Sequence, residues 1–160
     1  MTQTEEPAVG TTGKLLAERR AEAVWTGRLF EGRGTVSVGS RAFAELPFTW
    51  ASRTRRPNGQ TSPEELLAAA QAGCFSMALS LVLADAGTPP EELTVKATCA
   101  LERVPTGFTI TTIVLDVQGR VPGIDDDRFD QAAERAAQLC PVSKALNESV
   151  GVRLTARLEQ

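Results

Sequence analysis

Cys74, Cys99 and Cys140 are the residues of this chain whose chemistry is most distinctive. No histidine accompanies them among the 160 residues. That absence removes Ser-His and Cys-His catalysis, His-ligated zinc and His-ligated haem, and leaves thiols, carboxylates, arginines and lysines. The cysteines stand 25 and 41 residues apart, with no CxxC pair, so neither a zinc site nor a structural disulfide framework is indicated. Each thiol has two readings. Cys74, in SPEELLAAAQAGCFSMALSLVLADAG, can be a small apolar filler or a reagent. Cys140 stands before Pro141 at the start of a new helical turn, where backbone N–H groups favour a thiolate. Cys99 lies within a strand pattern with no charge near it and reads as filler.

The carboxylates and guanidiniums also have plain readings. Glu64, at the second position of a helix, is stabilised there by the dipole without any function. Arg53, Arg55 and Arg56 form the one basic run and ordinarily make a solvated face. A free thiol has a pKa near 8.5, which burial raises further. If Cys74 is a reagent, a cation must therefore stand beside it.

The elements that must position these groups are legible from capping and periodicity. Ser62 as N-cap, Pro63 at the first helical position and Glu65 completing a capping box start a helix, and Gly87 with Pro89 and Pro90 ends it. Apolar on all sides, this helix is expected to be fully buried. Before it, Ala23–Phe30 and Gly34–Val38 predict a hairpin, Phe48–Arg53 a third strand, and Pro57-Asn58-Gly59 a turn. After it, 93–104 and 108–121 predict a long hairpin joined at Pro105-Thr106-Gly107. Asp125 caps an amphipathic helix that stops at Cys140-Pro141, a helical turn follows over VSKAL, and 149–158 predicts a last strand. Strands and helices of this kind make one α+β domain.

Net charge is −3 with both signs interspersed, which gives no footprint for nucleic acid. The apolar stretch 66–84 approaches the length of a membrane span, but Gln71, Gly73, Ser76 and Ser80 interrupt it and half of it is alanine, so a membrane role is set aside. The opening MTQTEEPAVGTTGKLLAERR has no apolar signal region and reads as a mobile arm over 1–22 followed by a short helix, with a domain over 23–160 and a cytoplasmic location.

The stretch SPEELLAAAQAGCFSMALSLVLADAG, the segment RVPTGFTITTIVLDVQGRVPGID and the block CPVSKAL resemble the osmotically inducible protein C (OsmC) family, relatives of the organic hydroperoxide resistance proteins. The similarity runs in order from about Ala23 to Glu159. It implies an OsmC-like fold, with antiparallel sheets wrapped around central helices in an intertwined homodimer. It also implies a cysteine-based, peroxiredoxin-like peroxidase acting on organic hydroperoxides in the oxidative stress response, with no cofactor or metal. By that resemblance Cys74 is the peroxide-attacking cysteine and Cys140 the resolving one, the two joining in a redox-active disulfide. Glu64 is then the glutamate that holds an active-site arginine, and the reductant a dithiol, often a lipoyl group on another protein.

Arg53 matches the arginine position of the OsmC branch, in PFTWASR, although the following loop is one residue longer than usual. Arg33 in EGRG matches that of the organic hydroperoxide resistance branch and is held in reserve. Apolar walls are expected from Leu66, Leu67, Phe75, Met77 and Phe129. Ten residues of straight helix separate the Glu64 and Cys74 backbones by about 15 Å, so the Glu64 serving a given Cys74 is expected from the other subunit or across a bent helix. A redox sensor and an apolar-ligand binding module are the competing functions.

Overall fold

A computed structural model describes residues 13–159. Strands β1 (Ala21–Thr26), β2 (Arg33–Val38) and β3 (Leu46–Phe48) form one antiparallel sheet. Helix α1 (Trp50–Thr54) and the long helix α2 (Pro63–Asp85) follow, then strands β4 (Glu92–Val104) and β5 (Gly107–Arg120). Helices α3 (Asp126–Leu139) and α4 (Pro141–Leu146) lead to β6 (Gly151–Leu158). The second sheet has the order β4-β5-β6. It is mixed: β4 and β5 are antiparallel, whereas β6 runs parallel to β5, with Ile113 opposite Val152 and Leu115 opposite Leu154. The expectation of purely antiparallel sheets fails at this strand, because a connection through α3 and α4 returns the chain in the direction of β5.

The core lies between α2, α3 and the β4-β5-β6 sheet. On α2, Phe75, Leu79 and Leu83 recur every four residues and are 0% exposed, as are Ile113, Leu115 and Val117 on one face of β5. The spacings are those of a helix stripe and a strand face, and each such side chain contributes about 1.5–3 kcal/mol on burial. At Gly119 a Cβ would stand 2.5 Å from Cζ of Phe129; the missing side chain is what lets the Phe129 ring lie on the sheet.

Four local expectations need correction. Residues 49–54 form a cap and a helix rather than a strand. Thr49 Oγ1 accepts from Ser52 N and Ser52 Oγ accepts from Thr49 N, a reciprocal cap that outweighs the strand preference of Phe48, Thr49 and Trp50. At α2, Ser62 Oγ accepts from Glu65 N at 3.1 Å, but the Glu65 carboxylate takes the Thr61 hydroxyl instead of the Ser62 N–H. Residues 14–20 hold no helix; residues 1–12 of the arm lie outside the described residues. Finally, α2 is long and apolar enough to cross a bilayer, yet it is a core helix on one side only: Met77 is 75% and Leu81 58% exposed.

The N-terminal sheet stands apart from this core. All six residues of β1 are exposed. Its links to the rest are a backbone bond from Thr61 N to Pro47 O at 2.9 Å and aromatic rings: Phe30 meets Trp50 at 5.7 Å and Trp50 meets Phe108, at the tip of the β4-β5 hairpin, at 4.9 Å, both edge-on.

Candidate active site

Two clusters bear chemistry. The first is built from sulfur. Cys74 lies on the fourth turn of α2, half-buried, and packs against the core that holds Cys140, which is 0% exposed; the two thiols are close enough to act on one another's ionisation. Cys140 is the residue between α3 and α4: its N–H closes α3 on Ala136 O at 2.8 Å, and Pro141 follows at the first position of α4. The turn brings the Val142 N–H near both sulfurs, and the Ser143 N–H and hydroxyl near Cys140.

The two thiols are therefore unlike. Burial acts to raise Cys140, but the Ser143 hydroxyl, the Ser143 N–H, the Cys74 thiol and the Val142 N–H outweigh it and bring Cys140 below the ordinary thiol value. Burial pushes Cys74 up; the Val142 N–H opposes this, while the hydrogen bond to Cys140 and the charge there add to the rise. Within one chain the surroundings thus favour ionisation of Cys140 over that of Cys74.

The second cluster is an ion pair. Arg53 Nε donates to Glu64 Oε1 and Oε2 at 2.9 and 3.1 Å, and Arg53 Nη2 to Oε1 at 2.7 Å. The Glu64 side chain is 8% exposed and that of Arg53 29%. The guanidinium also lies over the Trp50 ring at 5.8 Å. So fixed on two sides, it has one direction left for a ligand. Arg33, at the start of β2, is exposed and makes no ion pair among the described residues.

The pair opens on a cavity of about 500 Å³. Its lining includes Cys99, Arg103 and Phe108 but neither Cys74 nor Cys140. Helix α2 runs unbroken from Pro63 to Asp85, so Glu64 and Cys74 sit on different turns and different faces. Four residues singled out in the sequence thus meet as two pairs, Cys74 with Cys140 and Arg53 with Glu64, and the pairs are separate within one chain. Cys99 is a lining residue of the cavity; its thiol is pushed up by burial and by the Glu64 carboxylate. Among the described residues no three acidic, cysteine or histidine groups gather as a metal site.

The walls differ from those expected. Phe75 and Phe129 are 0% exposed members of the core; Leu101 and Phe108 line the cavity instead, with Trp50 against the Arg53 guanidinium. Gln71 and Ser143, which hold Cys140, also went unread. The signals were present: Gln71 is the one amide within an apolar helix, and Ser143 stands three residues after Cys140 in CPVS.

Comparison with known proteins gives this geometry its context. The model of the OsmC-like protein family matches residues 56–155. The chain is 41% identical over 136 residues to peroxiredoxin OsmC of Escherichia coli K12, covering 85% of this chain and 94% of that protein. It is 34% identical over 96 residues to an organic hydroperoxide resistance protein of Xanthomonas axonopodis pv. citri, covering 59% and 66%. Among solved structures it superimposes with a TM-score of 0.72 on an organic hydroperoxide resistance protein from Elizabethkingia anophelis, 26% identical, covering 92% of this chain and all of that one. With its fold, its long central helix and its family match in agreement, the chain belongs to the OsmC-like protein family.

Proposed function

We propose that the protein is a cysteine-based peroxidase that reduces organic hydroperoxides to alcohols. The observation that carries this reading is the pair of neighbouring thiols, Cys74 half-buried against the core and Cys140 enclosed in it, each acting on the other's ionisation. Relatives named as a peroxiredoxin and an organic hydroperoxide resistance protein support the class of reaction. In the proposed cycle the Cys74 thiolate attacks the terminal peroxide oxygen. The S–O bond forms, the O–O bond breaks, and the alkoxide leaves and takes a proton to become the alcohol. Cys140 then attacks the Cys74 sulfenic acid; the disulfide forms and hydroxide leaves as water. A dithiol reductant, such as a lipoyl group on another protein, restores both thiols by exchange.

Attack requires a Cys74 thiolate, which one chain alone disfavours. We assign the missing cation to Arg53 of a second copy, in a homodimer whose sites each join the sulfurs of one chain to the Arg53–Glu64 pair of the other. The separation of the two pairs within one chain supports this, as does the uncovered α2 face of Ala69, Ala70, Gly73, Met77, Leu81 and Ala84 beside Cys74. Arg53 would lower the Cys74 pKa and polarise the peroxide. Glu64 would fix its direction, and Trp50, Phe108 and Leu101 would favour an organic group. The three free cysteines suit the reducing cytosol.

The test is a single turnover with the reduced protein and an alkyl hydroperoxide. The reading predicts one peroxide lost for every two thiols lost, and no turnover in Cys74→Ser. Unchanged consumption in Cys74→Ser overturns it. Affinity for apolar ligands without thiol loss would instead identify a binding module, and oxidation that no dithiol reverses would identify a redox sensor.

A further inference from the structure

Gln71 has no part in the scheme so far. Of the four buried polar side chains among the described residues it is the one at 0% exposure, and it lies on α2 three residues before Cys74. Its Nε2 donates to Ser143 Oγ at 2.7 Å and approaches Cys140 Sγ at 4.0 Å. Its Oε1 is buried without a partner. A hydroxyl that accepts from an amide keeps its own hydrogen for another acceptor. For Ser143 the acceptor at hand is the Cys140 sulfur: the same Gln71 Nε2 reaches both groups, and the Ser143 hydroxyl is among the groups that favour the Cys140 thiolate. The opposite orientation, with the carbonyl facing Ser143, would draw that hydrogen away from sulfur. The unpartnered carbonyl marks the donor half of the amide as the part the site uses.

Resting on the peroxidase reading above, we propose that Gln71 is a positioning residue for the resolving step: by donating to Ser143 it turns the Ser143 hydroxyl hydrogen onto Cys140 Sγ and holds that sulfur against Cys74. In this step the Cys140 thiolate attacks the sulfur of the Cys74 sulfenic acid. The S–S bond forms, the S–O bond breaks, and hydroxide departs as water after taking a proton from solvent. Cys140 is oxidised and Cys74 reduced to the common disulfide level. The groups acting on Cys140 are the Cys74 thiol and the Gln71 amide from α2, and Ser143 and the Val142 N–H from α4; no charged side chain is among them.

The experiment compares the full-length parent with Gln71→Glu, Gln71→Met, Ser143→Ala and the double variant Gln71→Glu/Ser143→Ala. Each reduced protein receives one equivalent of cumene hydroperoxide, and dimedone traps the surviving sulfenic acid at successive times. A glutamate of the same length only accepts, so Gln71→Glu reverses the Ser143 hydroxyl; sulfenic acid on Cys74 is expected to persist at least about tenfold longer than in the parent. Gln71→Met, apolar and of similar length, is expected between the two and keeps the test open if the buried carboxylate prevents folding. In the Ser143→Ala background the Gln71→Glu effect should vanish, since the two act as one relay.

A second readout is independent of peroxide. In the Cys74→Ser background, Gln71→Glu and Ser143→Ala should move Cys140 thiolate absorbance to higher pH. Parental disulfide rates in Gln71→Glu and Gln71→Met, or equal slowing with and without Ser143, would overturn the proposal. If the parent consumes no peroxide the peroxidase reading fails, and the Cys140 titration still decides the role of Gln71.

Discussion

Cys74 and Cys140 face one another with opposite biases, and hydrogen bonds set the difference. Cys140 gains donors that favour its thiolate, so its folded pKa lies below the unfolded one; its contribution to stability is present above the unfolded value and is lost as pH falls through the folded one. Cys74 is raised, so its contribution is present below the unfolded value and is lost as pH rises through the folded one. With no histidine in the chain, the other thiol in that range is Cys99, also pushed up by burial and Glu64, so both variants are compared in a Cys99→Ser background. The urea midpoint of Cys74→Ser should therefore rise from neutral pH towards about pH 8.5, while that of Cys140→Ser should fall above it. Opposite slopes, or two flat ones, would refute the assignment. The Arg53–Glu64 pair makes a separate prediction. Glu64→Gln keeps the shape but removes the charge that aims the guanidinium, and it should lower kcat/KM for an alkyl hydroperoxide at least about tenfold. Arg53→Lys should be about as inactive as Arg53→Ala, because an ammonium cannot form the two-toothed contact.

Among the elements, α2 was the most legible from sequence because its ends are written in side chains. Ser62 caps it and Gly87, at φ 80°, follows its end; Ser62→Ala should cost about 1 kcal/mol in urea unfolding. Its burial was misread for a physical reason. A helix apolar on every side reads as enclosed on every side, but the face built from Ala69, Ala70, Gly73 and Met77 has no cover among the described residues. The segment 49–54 was misread because aromatic and β-branched residues favour a strand, while the Thr49–Ser52 cap acts over three residues and needs no periodicity. Parallel pairing of β6 could not be read locally at all, since strand direction is fixed by where α3 and α4 return the chain. On the sheet, Gly119→Ala should lower thermal stability clearly, because its methyl group meets the Phe129 ring at 2.5 Å. An unchanged melting temperature would contradict the packing described.

At the scale of the whole molecule, the proposed site is two half-sites. Sequence resemblance pointed to the four residues, but neither spacing nor periodicity could show that Arg53–Glu64 and Cys74–Cys140 stay apart in one chain. That separation emerges only once α2 is seen to be continuous. If two copies complete each site, Met77→Glu with Leu81→Glu should abolish the dimer in sedimentation and lower peroxidase activity together; a monomer of undiminished activity would exclude Arg53 of a second copy as the missing cation. Gln71 and Ser143 were equally out of reach, lying 72 residues apart and joined only by the fold. The central claim, that Cys74 meets the peroxide and Cys140 resolves it, is tested most directly by mass spectrometry of the reduced protein after one equivalent of cumene hydroperoxide. The account predicts a disulfide between Cys74 and Cys140 with Cys99 left as a free thiol. A protein with no such link, or with Cys99 in the disulfide, would contradict it.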